Sequence, residues 1–281
     1  MNSYKPQKEI KTISESIKKE LNLLLKKIYW FNYTKLGYLK KTYFQKHRAD
    51  KNIISLITIS RNRSKRLKKV LDTIQNNTYN LKNIEILIFI DEDESETIDY
   101  NDLVNIYKDK FEIKIYSNNL KKNTEKNNFL ARNSKGDLIF GVTDDMYLEK
   151  NWDVDINYEA NKFNKNEAFC IWPKEIGLKY PHLHCNAPII NRNWFNKCGY
   201  FLHHDLFHYY ADNWLCDLSR ECGNFLITKH YIWKHDHPDA RLELVDKTYL
   251  ELKKKSQIHN ENKIYEKLQD IRKDTAKKLI S

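Results

Sequence analysis

The segment from Gly136 to Asp153 reads GDLIFGVTDDMYLEKNWD, a short apolar run followed by two adjacent acids. The run from Leu138 to Val142 has the composition of a buried strand, and it ends at Asp144 and Asp145. In open α/β sheets, ligands bind beyond the carboxyl ends of the strands. Because adjacent carboxylates repel each other, a divalent cation carrying a phosphate ligand would stabilise them there. A solvated turn of acids is the alternative interpretation.

Earlier segments indicate that this strand belongs to an α/β sheet. Apolar, β-branched runs predict strands at 52–60, 84–90 and 111–116, and helical spacing predicts helices over 67–74 and 127–133. Strand–helix–strand order at this spacing implies parallel pairing. The second strand also ends in acids, beginning with Asp91. We therefore expect a mostly parallel, Rossmann-like sheet flanked by helices, with charged clusters sharing one edge.

The glycine pattern excludes several nucleotide-binding classes. The chain has 6 glycines, and none forms the GxGxxG or GxxxxGK[ST] pattern of dinucleotide-binding or P-loop proteins. A sugar-phosphate nucleotidyltransferase would need a glycine-rich loop after the first strand, where Arg61 and Arg63 stand instead. A sugar-phosphate nucleotidyltransferase is therefore a rival interpretation and not the favoured one.

Charge is concentrated at the two ends of the chain. The formal net charge is +11, and residues 1–52 hold 13 Lys and Arg against 4 Asp and Glu. No hydrophobic signal segment or run of about 18 apolar residues is found. The 5 cysteines form no CxxC pair, which favours free thiols in a reducing compartment. We expect a cytoplasmic protein, with possible peripheral contact on the inner face of a membrane.

Two helical appendages are predicted outside the central region. The first spans 1–52 and is a basic amphipathic helix with apolar residues on one face: Ile10, Ile13, Ile17, Leu21, Leu24, Leu25 and Ile28. It either docks on an anionic membrane surface or packs on the body or a second subunit. The second is a tail over 241–281 with a broken apolar stripe, which predicts docking on the body or dimerisation.

Four segments in order carry a family resemblance. They are Ile57–Arg63 (ITISRNR), Ile88–Asp91 (IFID), Lys126–Asn128 and Gly136–Asp153. Together they resemble the GT-A glycosyltransferases, in particular the family 2-like inverting enzymes that use nucleotide sugars. The resemblance covers roughly residues 53–239 and implies a domain at 53–240, with a nucleotide-sugar half (53–150) and an acceptor half (151–240).

The resemblance implies an activity and a set of site residues. The activity is transfer, with inversion, from a nucleotide sugar (UDP-sugar favoured) to a glycan or lipid-linked acceptor, in the setting of polysaccharide assembly. The acid pair corresponds to the DxD-type motif, although it reads Thr-Asp-Asp-Met. Asp145 and Asp144 would bind Mn²⁺ or Mg²⁺. The donor would be contacted by Ser60, Arg61, Arg63, Asp91, Lys126, Asn128 and Asp144.

The acceptor half offers one candidate general base. Leu215, Leu218 and Cys222 predict a helix that ends at Gly223, which puts Asp212 near its start. An acid there is either an N-cap or the carboxylate that takes the acceptor proton in an inverting transfer. The resemblance favours the base, because Ala211-Asp212 stands where the family has a Glu-Asp motif.

Histidines and tryptophans supply further candidates. His235 and His237 follow an aromatic run and, two residues apart on an extended chain, would face one side. They resemble the family's C-terminal metal-binding segment, with His235 favoured, or they are exposed loop histidines. Trp172, Trp194 and Trp214 either stack on acceptor sugars or belong to the core. The other histidines of this half match no closed four-ligand zinc pattern. A non-catalytic glycan- or membrane-binding protein of the same fold remains the second rival.

Overall fold

The structure is a computed structural model that describes residues 52–178, 180–235, 250–251, 254 and 259–281. The predicted N-terminal helix therefore lies outside the described residues, and so does His237. Within the described ranges the chain folds into eight strands and eight helices around one sheet. No helix among the described residues is both long and apolar enough to cross a bilayer.

The elements alternate through the first half of the described chain. The strands are β1 (Ile54–Ile59), β2 (Ile84–Asp91), β3 (Glu112–Asn118), β4 (Leu138–Gly141), β5 (Met146–Leu148), β6 (Cys170–Ile176), β7 (Ile189–Asn191) and β8 (Phe225–His235). The helices are α1 (Ser64–Asn77), α2 (Thr97–Tyr107), α3 (Asn123–Asn133), α4 (Trp152–Ala160), α5 (Arg192–Cys198), α6 (Ala211–Cys222), α7 (Glu261–Lys267) and α8 (Gln269–Ile280). The four strands predicted in the first half are confirmed, each to within two residues at its ends.

The sheet has the order β3-β2-β1-β4-β7-β6-β8-β5 within the described residues. Strands β3, β2, β1 and β4 pair in parallel, whereas β7 is antiparallel to both β4 and β6. β8 runs parallel to β6 and antiparallel to β5. The prediction of a mostly parallel α/β fold is confirmed, and the parallel half brings the ends of β1, β2 and β4 to one edge.

The central strands are buried on both faces, which explains their continuous apolar runs. Ile54 and Leu56 of β1 pack in one cluster with Leu67 and Leu71 of α1. Ile57 points to the other face and packs with residues of α3, α5, α6 and α8. Helices therefore cover both faces of the sheet. The edge at the carboxyl ends of β1, β2 and β4 lies between them and can bind a ligand.

The C-terminal tail docks on the acceptor half. Ala276 and Leu279 of α8 are 5% and 1% exposed and belong to the same cluster as α5 and α6. The Arg272 guanidinium donates to Glu221 of α6 at 2.9 Å, and Lys197 of α5 donates to the Leu279 carbonyl at 2.9 Å. Of the two alternatives for the tail, docking on the body is observed for this part.

Candidate functional site

A cleft of about 750 Å³ opens at the carboxyl ends of β1, β2 and β4. One wall includes Arg61, Asp91, Lys126 and the Asp144–Asp145 pair. Its other wall includes Phe207, from the segment before α6, and Asp212 of α6, whereas His235 of β8 and Glu175 of β6 line the cleft beside the acid pair. One cleft therefore collects residues from both halves of the sheet, as expected for a ligand site at strand ends.

Asp144 is buried among neutral and cationic donors. It is 4% exposed, accepts a hydrogen bond from the Ser60 hydroxyl at 3.0 Å and pairs with the Arg63 guanidinium at 3.2 Å. Burial raises the pKa of Asp144 to about 6, although Arg63 works in the opposite direction. Keeping Asp144 ionised therefore costs free energy, and a cation in the cleft would offset that cost.

Asp145 lies in a more stabilising environment. Burial on its own raises its pKa, but His235, Thr143 and Arg66 outweigh burial and lower the pKa to about 2. The Thr143 hydroxyl donates at 2.5 Å, and the Arg66 guanidinium lies 3.3 Å away. Asp145 is therefore a fixed anion that faces the cleft.

The pairing of β8 with β5 brings His235 to the acid pair. Met146 and His235 are cross-strand partners, and the His235 Nε2 atom lies 3.2 Å from Asp145 Oδ1. The other ring nitrogen, Nδ1, lies 3.7 Å from Glu175 Oε1, and Glu175 accepts from the Asn186 amide at 2.7 Å. A histidine held between two carboxylates in this way has a fixed ring orientation.

The donor set around Asp145 fits a divalent ion. The carboxylates of Asp144 and Asp145 with the imidazole of His235 suit Mn²⁺-like ions, and carboxylates with water suit Mg²⁺. Both Asp145 and His235 line the cleft, so an ion and a phosphate ligand could reach them. A second group of possible ligands, the consecutive His203, His204 and Asp205, has ligand atoms within 4.8 Å of one another.

Two cations converge on Asp91 at the end of β2. Arg61 pairs with it at 2.5 Å, and the Lys126 ammonium of α3 forms an ion pair with its other oxygen. Burial raises the pKa of Asp91, and Lys126 and Arg61 together lower it further than burial raises it. Arg61 also makes two bonds to Asp93. The structure therefore groups three of the predicted donor-binding residues.

Two predicted donor contacts lie behind the cleft wall. Ser60 is 2% exposed and its hydroxyl is bonded to Asp144 and to the Tyr100 hydroxyl. The Asn128 carboxamide accepts from the backbone of Phe201 and Leu202 and donates to the Leu202 carbonyl. Both side chains position cleft residues, and their direct contact with the donor stays a prediction.

Asp212 lies in the first turn of α6 and lines the cleft. The N-cap is Tyr210, with φ 62°, so the N-cap interpretation of Asp212 does not apply. The His184 Nε2 atom lies 3.1 Å from Asp212 Oδ2. Asp212 and the Cys216 sulfur raise the pKa of His184 to about 10, so an imidazolium accompanies the carboxylate at neutral pH.

The three tryptophans predicted to meet the acceptor are core residues instead. Trp172, Trp194 and Trp214 are each 0% exposed and pack in the cluster below α5 and α6. A fully buried indole has no face to offer a sugar ring, so of the two alternatives stated for these tryptophans the structure describes the core one. Apolar composition alone does not distinguish a core aromatic from a ligand platform, because both need flat apolar area.

Sequence reasoning missed three residues that complete the site. Arg66 ends the basic stretch RNRSKR at 61–66, which does not indicate a partner for it, and its position in the first turn of α1 directs it to Asp145. Glu175 gave no local signal in the apolar strand β6. His184 was grouped with the other histidines, and only the approach of the β6–β7 connection to α6 reveals its partner Asp212.

Comparison with solved structures identifies the fold. Over 68% of this chain and 62% of the other, the structure matches S. aureus TarS with a TM-score of 0.53 and 13% identity. Over 72% and 63%, it matches the mannosyltransferase PcManGT from Pyrobaculum calidifontis, solved with GDP-Man and Mn²⁺, with a TM-score of 0.52 and 11% identity. It also matches GalNAc-T7, solved with UDP, GalNAc and Mn²⁺, with a TM-score of 0.53 and 12% identity. This match covers 66% of this chain and 43% of the GalNAc-T7 chain.

These neighbours are glycosyltransferases of the GT-A type, and the chain has the GT-A fold. At 11–13% identity the likeness establishes the fold alone. The chain spans about 62–63% of the TarS and PcManGT chains that it matches. No family model and no curated protein matches the sequence.

Proposed function

We propose that this protein is a metal-dependent glycosyltransferase that moves a sugar, with inversion, from a nucleotide sugar to a glycan or lipid-linked acceptor. One observation carries the proposal: a single cleft holds the Asp145–His235 pair and, on its opposite wall, the carboxylate of Asp212. Donor activation and proton removal need these two sets of groups on either side of the reacting carbon. A UDP-sugar is the favoured donor.

The nucleotide side of the cleft is built to receive a diphosphate. Arg61, Arg63, Arg66 and Lys126 converge on three carboxylates, so phosphate oxygens that enter would find cations already positioned. Asp91 and its two cations would recognise the base or ribose. These ion pairs keep the guanidinium groups ordered before the donor arrives, which lowers the entropy lost on binding.

Mn²⁺ or Mg²⁺ would be held by Asp145 and His235, with Asp144 behind them, and would stabilise the charge that develops on the departing nucleoside diphosphate. The orientation of His235 depends on Glu175, whose pKa burial raises. Asp144 keeps Arg63 and Ser60 in place. The protein thus supplies a fixed anionic and imidazole face, and the cationic side chains surround it.

Asp212 would take the proton from the acceptor hydroxyl as the oxygen attacks the anomeric carbon. Its Oδ1 accepts from the Asn213 backbone amide at 2.9 Å, and its Oδ2 faces His184. These two contacts fix the carboxylate plane. One base acting opposite the leaving group is the arrangement that inverting transfer requires.

A donor panel tests the proposal. The full chain is mixed with UDP- and GDP-sugars with and without Mn²⁺; thermal shift reports binding, and released nucleoside diphosphate reports turnover with or without added glycan. We expect a Mn²⁺-dependent shift and slow turnover with at least one donor. Asp212→Asn should keep the shift and lose turnover by a factor of about 10², whereas Asp102→Asn, on the exposed face of α2, should change neither.

The two rivals give different results in the same assay. A nucleotidyltransferase would release pyrophosphate from a nucleoside triphosphate and a sugar phosphate, and it would not turn over a nucleotide sugar alone. A non-catalytic glycan- or membrane-binding protein would show binding with no turnover by any donor. Either result would overturn the proposed transfer reaction.

A further inference from the structure

One buried carboxylate in the C-terminal tail holds the backbone of the cleft wall. Glu261 begins α7 and is 2% exposed. Its Oε1 atom accepts the backbone N–H groups of Phe207 and His208 at 2.7 Å each, and its Oε2 atom accepts that of Tyr209 at 3.2 Å. A buried carboxylate is stable only with such donors, so this contact fixes three consecutive peptide groups.

These three residues belong to the acceptor-side wall. Phe207, His208 and Tyr209 line the cleft together with Asp212, which follows only three residues after Tyr209. Between them, Tyr210 adopts a left-handed conformation with φ 62° and caps α6. The orientation of the first turn of α6, and therefore of Asp212, depends on where the 207–209 backbone lies.

Aromatic contacts from the tail flank the same segment. His259 stacks on Phe207 with ring centroids 4.6 Å apart, and Tyr265 stacks on Tyr210 at 5.2 Å. The Tyr265 hydroxyl also donates to Asp217 on α6. The tail therefore contacts both ends of the 207–210 segment, and Glu261 binds the backbone between the two ring contacts.

We propose that Glu261 is a positioning residue for the acceptor side of the cleft, and that the C-terminal tail is part of the transferase site rather than a separate appendage. The inference rests on the proposed function, because it assigns the 207–209 wall to acceptor binding and proton removal. Glu261 touches no substrate; it acts through the 207–209 backbone on Asp212. Donor binding, which we assign to Arg61, Asp91 and Lys126, should not depend on it.

The test compares Glu261→Gln with Glu266→Gln. Both remove one negative charge from the same helix, but Glu266 is exposed. In the first variant an amide N–H₂ replaces one acceptor oxygen and faces backbone donors, which leaves at least one buried N–H without a partner. Hydrogen exchange of the free full-length chain reports the 207–209 amides directly. Kinetics of donor turnover, with water as acceptor, report the position of Asp212.

We expect Glu261→Gln to speed exchange at 207–209 about tenfold or more and to leave exchange in β1 unchanged. The kcat should fall about tenfold or more, because a small displacement of a reacting group is costly, while the donor KM should stay within about twofold. Glu266→Gln should match wild type in all three measurements.

Four outcomes would overturn the inference. Unchanged exchange at 207–209 would mean that Glu261 does not hold this backbone, and faster exchange with unchanged kcat would leave it a merely structural role. A raised donor KM would assign the wall to the donor side. If wild type turns over no nucleotide sugar, the proposed function fails and the positioning role fails with it, whereas the exchange result still reports the backbone contact independently.

Discussion

Asp144 and Asp145 are neighbours in sequence, yet they lie in opposite electrostatic environments. Burial raises the pKa of Asp144 to about 6, while His235, Thr143 and Arg66 overcome burial and lower that of Asp145 to about 2. Each carboxylate accepts from a hydroxyl and faces a guanidinium, but Asp145 also lies beside the His235 imidazole. At the residue scale, Asp145 is therefore the more permanent anion and the better candidate for the main metal ligand.

Replacing Asp145 with Asn should abolish the Mn²⁺-dependent part of nucleotide binding while leaving the fold intact. The variant keeps the size of the side chain but loses the charge that a divalent ion needs. Calorimetric titration of UDP with and without Mn²⁺ measures the effect. Asp99→Asn on the exposed part of α2 is the matched control, and a Mn²⁺-dependent signal that survives in Asp145→Asn would contradict the metal assignment.

The His184–Asp212 pair makes a pH-dependent contribution to stability. The folded-state pKa of His184 is raised from 6.5 to about 10, so the folded state binds the proton more tightly than the unfolded state does. This contribution is full below pH about 6.5 and is lost as the pH rises towards 10. We expect the difference in Tm between wild type and His184→Gln to shrink between pH 6 and pH 10; a constant difference would show that the pair is not charged.

At the element scale, helix α6 carries the proposed base Asp212, and the helix ends at one glycine. Gly223 has φ +73°, and its amide bonds back to Ser219 and Arg220. No heavy atom lies within 4 Å of a Cβ placed there, so any cost of a side chain is conformational rather than steric crowding. The prediction from sequence that α6 ends at this glycine is confirmed.

Substitution of Gly223 by Ala should therefore lower stability by about 1 kcal/mol, because an L-residue in the left-handed region is strained. Asn tolerates that region better and should cost less. Chemical denaturation of wild type and both variants measures the difference. Nucleotide binding should be equal in all three, and an equal cost for Ala and Asn would mean that something other than backbone conformation is disturbed.

At the scale of the whole molecule, charge is unevenly distributed along the chain. Residues 1–52 carry 13 Lys and Arg against 4 Asp and Glu, and all of this segment except Asn52 lies outside the part of the chain that the structure describes. A basic amphipathic segment binds anionic lipid through electrostatics and apolar contact together. We propose that it provides peripheral membrane contact near a lipid-linked acceptor.

Vesicle binding by the full chain tests this proposal. We expect co-sedimentation with vesicles that contain anionic lipid, weaker binding to neutral vesicles, and loss of binding as salt is raised. A variant with Gln at Lys18, Lys19, Lys26 and Lys27 should bind less, whereas Gln at the exposed Lys277 and Lys278 of α8 should have little effect. Equal binding to neutral and anionic vesicles would contradict the electrostatic mechanism.

Much of the fold can be read from local patterns. The apolar runs that become β1, β2 and β4 are buried on both faces, so their composition is nearly independent of what packs on them. The acids that follow them come to one edge because parallel strands share a direction. Asp91, Asp144 and Asp145 were therefore placed together from periodicity and chain order alone.

Contacts between distant segments depended on packing that no local pattern encodes. His235 reaches Asp145 across 90 residues through the β5–β8 register, and the sequence suggested it only through the family resemblance. His184 meets Asp212 across 28 residues, and Glu261 meets Phe207 across 54, with no signal in either segment. From the sequence, Trp172, Trp194 and Trp214 could either pack in the core or stack on a sugar, and their complete burial places them in the core. Periodicity reports which side of an element is apolar; only the assembled layers determine which neighbour covers that side.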